Sequence, residues 1–245
     1  MSTRSSVRAL RRGFFAGLPF IVVIGPFGLL FGVLADQAGL DIVQTLSMTT
    51  LVIAGASQFT ALALMQDHAP TLIVIAAALA VNLRLALYSA SIAPHIGAAP
   101  LRMRALAAFV LVDQTFAISV QEFERRPTMT LEEKLGYFFG TALAICVPWV
   151  VLSGVGMLVG RSIPPEYALD FAVPLTFIAM IAPQLRSLPH IVAAFTSVVI
   201  ALLLAWMPWS TGVLVAALAA MAAGAETERR LALHRSRADA GGLGA

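Results

Sequence analysis

Arg84 and Asp113 are ionisable residues standing in the middle of apolar runs. Arg84 lies in TLIVIAAALAVNLRLALYSASIA, Thr71 to Ala93, and Asp113 lies in the next apolar stretch. A charge at the centre of a bilayer costs roughly 3 kcal/mol even on the lower scales, so such residues usually face a polar interior. Two chemistries are open to this pair. In one, an ion pair locks two helices together. In the other, Asp113 binds a proton or a substrate ammonium group, while Arg84 takes a carboxylate or tunes the acidity of Asp113. Asn82 adds an amide beside the arginine, and Arg84, Tyr88 and Ser91 share a helix face by i, i+4, i+7 spacing. A polar stripe of that kind suits a cavity lining.

A second group of candidates follows from residues that interrupt helices. Pro19, Gly25, Pro26 and Gly28 fall within ten residues of the first apolar run, and Gly55, Pro148, Pro174 and Pro183 interrupt later ones. Broken helices leave backbone groups that must find partners in the protein or in a water-lined cavity. In secondary transporters such half-helix ends bind the charged groups of the substrate. The competing reading is close helix packing, for which small residues are used in membranes. For the first helix the clustering points to a break, with Pro26 and Gly28 as substrate-pathway candidates. Gln58, in Gly55-Ala56-Ser57-Gln58-Phe59, presents an amide flanked by small residues to a ligand or to a neighbouring helix. Asp170, four residues before Pro174, is either a pathway residue or a carboxylate snorkelling to the interface.

The elements that must position these residues are membrane helices. Hydrophobic residues make up 59% of the 245 and charged residues 12%, about half the usual share for a soluble domain. The apolar runs are too long and unbroken for the strands of an outer-membrane barrel. The expected fold is all-α, a polytopic helix bundle with proline- and glycine-broken helices. Eight segments are predicted, near 14–35, 42–65, 71–93, 105–121, 135–159, 168–186, 190–206 and 209–225, in one transmembrane domain over 1–225. A turn at Trp206-Met207-Pro208-Trp209 divides the last two, and 226–245 forms a basic, disordered cytoplasmic tail. With both termini cytoplasmic, the N-terminal arginines, Arg125, Arg126, Lys134, Arg186 and the tail arginines fall inside, and Arg161 outside. Arg102 and Arg104 also fall outside, against the trend, which leaves a re-entrant segment open as the alternative. In this layout segments three and four run antiparallel. Arg84 and Asp113 then lie roughly 13 and 12 Å from the outer ends of their helices, so an ion pair is available.

Segments one (GLPFIVVIGPFG, Gly17 to Gly28) and six (AVPLTFIAMIAPQ, Ala172 to Gln184) share a proline spacing. Five segments apart, they would cross in opposite directions, either as inverted repeats or by coincidence. There is no P-loop, dinucleotide fingerprint, HExxH or GxSxG, so nothing points to an enzyme, a nucleotide cofactor or ATP-driven pumping. Cys146 stands alone and the four histidines lack metal-ligand spacing. The arginine-heavy balance reports orientation, not nucleic-acid binding.

Most of the chain resembles the AzlC family. GASQF (Gly55 to Phe59), NLRLALYSASIAPH (Asn82 to His95) and VDQTFAIS (Val112 to Ser119) carry the likeness, with GLPFIVVIGPFGLLFG and LDFAVPLTFIAMIAPQL in the same order. The resemblance implies the large subunit of a two-component exporter of leucine, isoleucine, valine and often methionine, with a small AzlD-type membrane partner, in the cytoplasmic membrane. The family pattern has Asp-Glu where this chain has Asp113-Gln114. If a second carboxylate serves proton coupling, Asp113 must serve alone here. A membrane scaffold whose partner does the transport, and an exporter of another hydrophobic metabolite, are the alternatives.

Overall fold

The computed structural model describes residues 2–160, 185, 187–207 and 211–242, and among the described residues it is all helix and turn, with no strand. Two compact units divide the chain, 1–66 with 74–168, and 67–73 with 169–245.

Two long helical stretches run side by side in the first unit. Helices α1 (Ser2–Gly17) and α2 (Ile21–Gln37) are joined by one turn of 3-10 helix, Leu18–Phe20. From Ser5 to Gln37 they form 33 residues long and apolar enough to cross a membrane. The partner is the 30-residue helix Leu131–Gly160, α8 in chain order. The two stretches run parallel: Gly13 meets Tyr137, Gly17 meets Ala144, Gly28 meets Trp149, and Gly32 meets Ser153. From the other side Gly136 meets Ser6, Gly140 meets Leu10, and Gly156 meets Leu29. A Cβ added at Gly13, Gly32, Gly140 or Gly156 would run into a backbone carbonyl oxygen of the facing helix. Such spacing follows the small-xxx-small pattern by which membrane helices bring their backbones together. The interruption expected across the first helix is therefore confined to one turn at Pro19. Pro26 lies inside the continuous helix α2, and Gly28 faces the α8 backbone. Proline is tolerated there because neighbouring groups in a bundle can satisfy the carbonyl it frees.

The predicted segments 42–65 and 105–121 are each two helices. Helix α3 (Ile42–Leu51), started by Asp41 and Gln44 capping one another, ends at Val52-Ile53-Ala54, and α4 (Gly55–Gln66) follows. Helix α5 (Thr71–Ile96) is long and apolar enough to cross a membrane. Next, α6 (Leu101–Phe109) ends at Val110-Leu111-Val112, where α7 (Asp113–Arg125) begins. Helix α7 runs alongside α5 in the same direction: Arg84 pairs with Asp113, Tyr88 stacks on Phe116, and His95 packs on Phe123. The antiparallel crossing expected of segments three and four is replaced by α6 running back along α5 and α7 returning. Their pairing survives because depth, not direction, decides it.

In the second unit α9 (Leu188–Leu203) and α10 (Thr211–Gly242) lie antiparallel, with Gly212 against Leu204 and Gly224 against Ala193. Helix α10 continues to Gly242, where a disordered tail was expected. Strong helix formers and the pairs Glu226–Arg229 and Glu226–Arg230 carry it onward. Hydrogen bonds from both arginines hold the Glu226 carboxyl below its usual range. That contribution is present above the ordinary carboxylate pKa and is lost as pH falls through the lowered value. The segment predicted at 168–186, and with it Asp170, Pro174, Pro183 and the second half of the proline repeat, lies outside the described residues.

The glycine seam gives a direct test. Gly32→Ala and Gly156→Ala should each lower the stability of the detergent-solubilised protein by about 1–3 kcal/mol, the usual cost of overpacking. Gly154→Ala, which would meet only the flexible end of Leu46, should cost far less. Thermal unfolding of the three variants side by side measures the difference.

Candidate functional site

Both helix breaks are held by side chains that follow them. At the second, Asp113 is the first residue of α7, where a carboxylate is favoured by the exposed N–H groups and the helix dipole. The segment Val110-Leu111-Val112 contains neither glycine nor proline, and Thr115 makes the break tolerable. The Val112 N–H donates to the Thr115 hydroxyl at 2.8 Å. That hydroxyl in turn reaches the carbonyl oxygens of Val112 at 2.8 Å and Val110 at 3.2 Å. Thr115 is fully buried. At the first break, the Gln58 side-chain amide donates to the Met48 carbonyl at 3.1 Å, and the Ser57 hydroxyl donates to the Ala54 carbonyl at 2.9 Å. Sequence reading singled out Gln58 but missed Thr115. The available signal was a hydroxyl residue two positions after Asp113, in a run of β-branched residues poorly suited to helix.

Arg84 and Asp113 form an ion pair, Nη1 to Oδ2, at 2.9 Å. The contact is single. Arg84 Nε and Asp113 Oδ1 are buried without a hydrogen-bond partner, and so is Asn82 Oδ1 nearby in sequence. An ion pair taken partly out of water repays its desolvation best when geometry is good and the remaining donors and acceptors are satisfied. This one leaves a donor and an acceptor unused, which is poor construction for a lock and suitable construction for a site that takes a polar ligand. The side chains are 29% and 30% exposed, so they are reachable. Tyr88 is next to the pair, interacting with Asp113 through its hydroxyl and stacked on Phe116 with ring centres 4.5 Å apart. Ser91 is exposed, so the polar stripe closes at Tyr88.

Gln58 stands in a different place. It is 1% exposed, its Oε1 is unpaired, and it lies on the side of the first unit built by α3, α4 and α8. Nearby, Thr49 donates to the Ser153 hydroxyl at 3.4 Å, and the Trp149 ring packs against Gly55 with its Nε1 unpaired. The structure thus brings Arg84, Asp113 and Tyr88 together and puts Gln58 at a second polar centre. It assigns Pro26 and Gly28 to the helix seam. The two centres are bridged by α8: Cys146 Sγ lies 4.0 Å from the Val110 carbonyl, and Trp149, three residues on, covers Gly55.

Comparison with known proteins gives a consistent set. The sequence profile described as AzlC protein matches residues 19–163. An uncharacterized membrane protein of Archaeoglobus fulgidus is 30% identical over 224 residues, covering 89% of this chain and 95% of that protein. An uncharacterized membrane protein of Helicobacter pylori is 30% identical over 71% of this chain and 75% of its own length. Inner membrane protein YgaZ of Escherichia coli is 27% identical over 67% of this chain and 68% of its own. No solved structure matches.

Thr115→Val keeps the shape and removes the hydroxyl, and should destabilise the protein by about 1–3 kcal/mol through unsatisfied backbone groups at the break. Thr115→Ser should restore most of that. Unfolding midpoints of the two variants, compared with the parent, decide whether the hydroxyl holds the break.

Proposed function

Because this chain belongs to the AzlC family of membrane proteins, we propose that it is the large subunit of a secondary exporter of branched-chain amino acids. The observation that carries this reading is the half-satisfied Arg84–Asp113 pair at the start of a helix that begins inside a broken segment. An amino acid presents one carboxylate and one ammonium group, and Arg84 and Asp113 offer one complementary partner for each. The side chain of leucine, isoleucine or valine carries no hydrogen-bonding group and suits the apolar surroundings. Asp113 also serves as the proton-accepting group, since Gln114 beside it cannot ionise. When the carboxylate takes a proton, its hold on a substrate ammonium weakens, so proton entry favours release of the amino acid.

The proposed location is the cytoplasmic membrane with the N-terminus inside, supported by the N-terminal arginines and by the E. coli relative named as an inner membrane protein. A small AzlD-type membrane subunit completes the exporter. What supports a partner is the coverage of α5: 11% of its most apolar window is buried, against 44% for Ser5–Gln37 and for Leu131–Gly160. The helix that carries Arg84 has most of its surface left for lipid or for another chain.

Arg84→Ala and Asp113→Asn should each slow leucine export by about a hundredfold, the factor that ~3 kcal/mol of lost charge-pair binding gives. Growth on a toxic leucine analogue, with membrane levels of each variant checked by immunoblot, reads the effect in cells expressing this chain with its small partner. Unimpaired resistance in both variants would remove the pair from transport. Leucine counterflow into proteoliposomes, with and without the partner, separates a transporting subunit from a scaffold.

A further inference from the structure

We propose that residues 42–66 and 101–125 are re-entrant hairpins entering the membrane from opposite faces. Each completes one of two inverted repeats, a spanning helix plus a hairpin, and both tips meet α8 at Cys146 to Trp149. This inference is independent of the substrate.

The second hairpin follows from four contacts at two depths. His95 at the end of α5 packs on Phe123, and Lys134 at the start of α8 sits over the same ring at 5.7 Å. Glu122 reaches Arg12 on α1 at 3.8 Å. The chain therefore leaves α5 and returns, after α6 and α7, to the same end of the unit. Between these points it goes only as deep as Asp113, level with Arg84, twelve residues or roughly 18 Å inside α5. Helices α6 and α7 are 9 and 13 residues long, about 13 and 20 Å, and neither crosses a 30 Å core.

The first hairpin follows from Gln58. Ten residues of continuous helix would put Met48 and Gln58 about 15 Å apart along the axis, yet their hydrogen bond is 3.1 Å. Helix α4 is folded back. Helix α3 descends along α8, with Leu46 on Gly154, Thr49 on Ser153 and then Gly55 on Trp149. Phe59 then packs on both Phe27 and Phe31 of α2.

The two hairpins share their local chemistry. After each tip a polar side chain reaches back to a carbonyl before it, Gln58 to Met48 within α3 and Thr115 to Val110, the residue that follows α6. The next residue in each is a phenylalanine that packs on an aromatic ring of the spanning helix before it. Phe59 meets Phe27 and Phe31, and Phe116 meets Tyr88. The spanning helices run oppositely, α2 parallel to α8 and α5 antiparallel to it. That is inverted topology. Charge agrees. Arg102 and Arg104 now join Arg12, Arg125, Arg126 and Lys134 on one face, while 37–41 and Gln66 on the other include no Lys or Arg. The exception to the positive-inside rule disappears.

The test places single cysteines, in a Cys146→Ala background, at the exposed positions Gln37, Gln66, Ala98 and Thr128. Each is treated with a membrane-impermeant maleimide before and after permeabilising the cells. Gln37 and Gln66 should label together from one face, and Ala98 and Thr128 together from the other. If either pair is split between faces, a hairpin is a crossing and the proposal is overturned. Where a variant does not accumulate, paired reporters fused after residues 37, 66, 98 and 128, one active only outside and one only inside, distinguish the same two paths: a shared face within 37/66 and within 98/128 upholds the hairpins, and opposite faces within either pair reject them.

Discussion

A peptide group in hydrocarbon has no water to fall back on, and every amide of a membrane protein must be answered within the protein. The two breaks in this chain are where that constraint is tightest. Each exposes carbonyl and N–H groups within an apolar stretch, and each is answered by side chains from the following turn, Ser57 and Gln58 at the first and Thr115 at the second. The arrangement at Asp113 depends on this. Only because Thr115 lets α7 begin there does Asp113 stand at a helix start, where the helix dipole favours its charge alongside Arg84.

Packing and charge divide the work between parts of the same unit. Glycines bring α1, α2 and α8 to backbone contact, so that seam is held by close dispersion contacts with little polar help beyond Ser6 and Thr141, whose hydroxyls donate to the Glu132 and Gly13 carbonyls, each at 3.3 Å. Helix α5 is the reverse. It touches its neighbours through an ion pair, a ring stack and a histidine–phenylalanine contact, and its surface is otherwise largely uncovered. Among the described residues, buried polar atoms without a partner lie on α5 (Asn82, Arg84) and along the folded-back helices (Thr45, Gln58, Asp113, Ser119), with Trp149 Nε1 on α8 beside them.

Much of this was legible in the sequence. Helical, membrane-spanning character followed from apolar length, and the Arg84–Asp113 contact followed from matching depths. Proline and glycine misled in one respect. They marked the first helix as broken, whereas its glycines serve contact and Pro26 is absorbed, and the break at 110–112 has neither residue. Helix breaks are decided by whether a side chain is at hand to satisfy the freed backbone, and that depends on local three-dimensional reach. Hydropathy was equally blind to direction. A run such as 105–121 has the same apolar content whether it crosses or turns back. The misplaced Arg102 and Arg104 were the trace that the folded-back path left in the sequence.

The glycine seam has a mechanical consequence. Where backbones touch, there are no long side chains to change rotamer and take up slack, so α1, α2 and α8 behave as a single stiff strut. Any opening and closing of a passage must then fall to the parts bound to that strut by a few polar or aromatic contacts, α5 and the folded-back helices. In the proposed exporter the alternating motion would be a swing of light arms against a fixed mast.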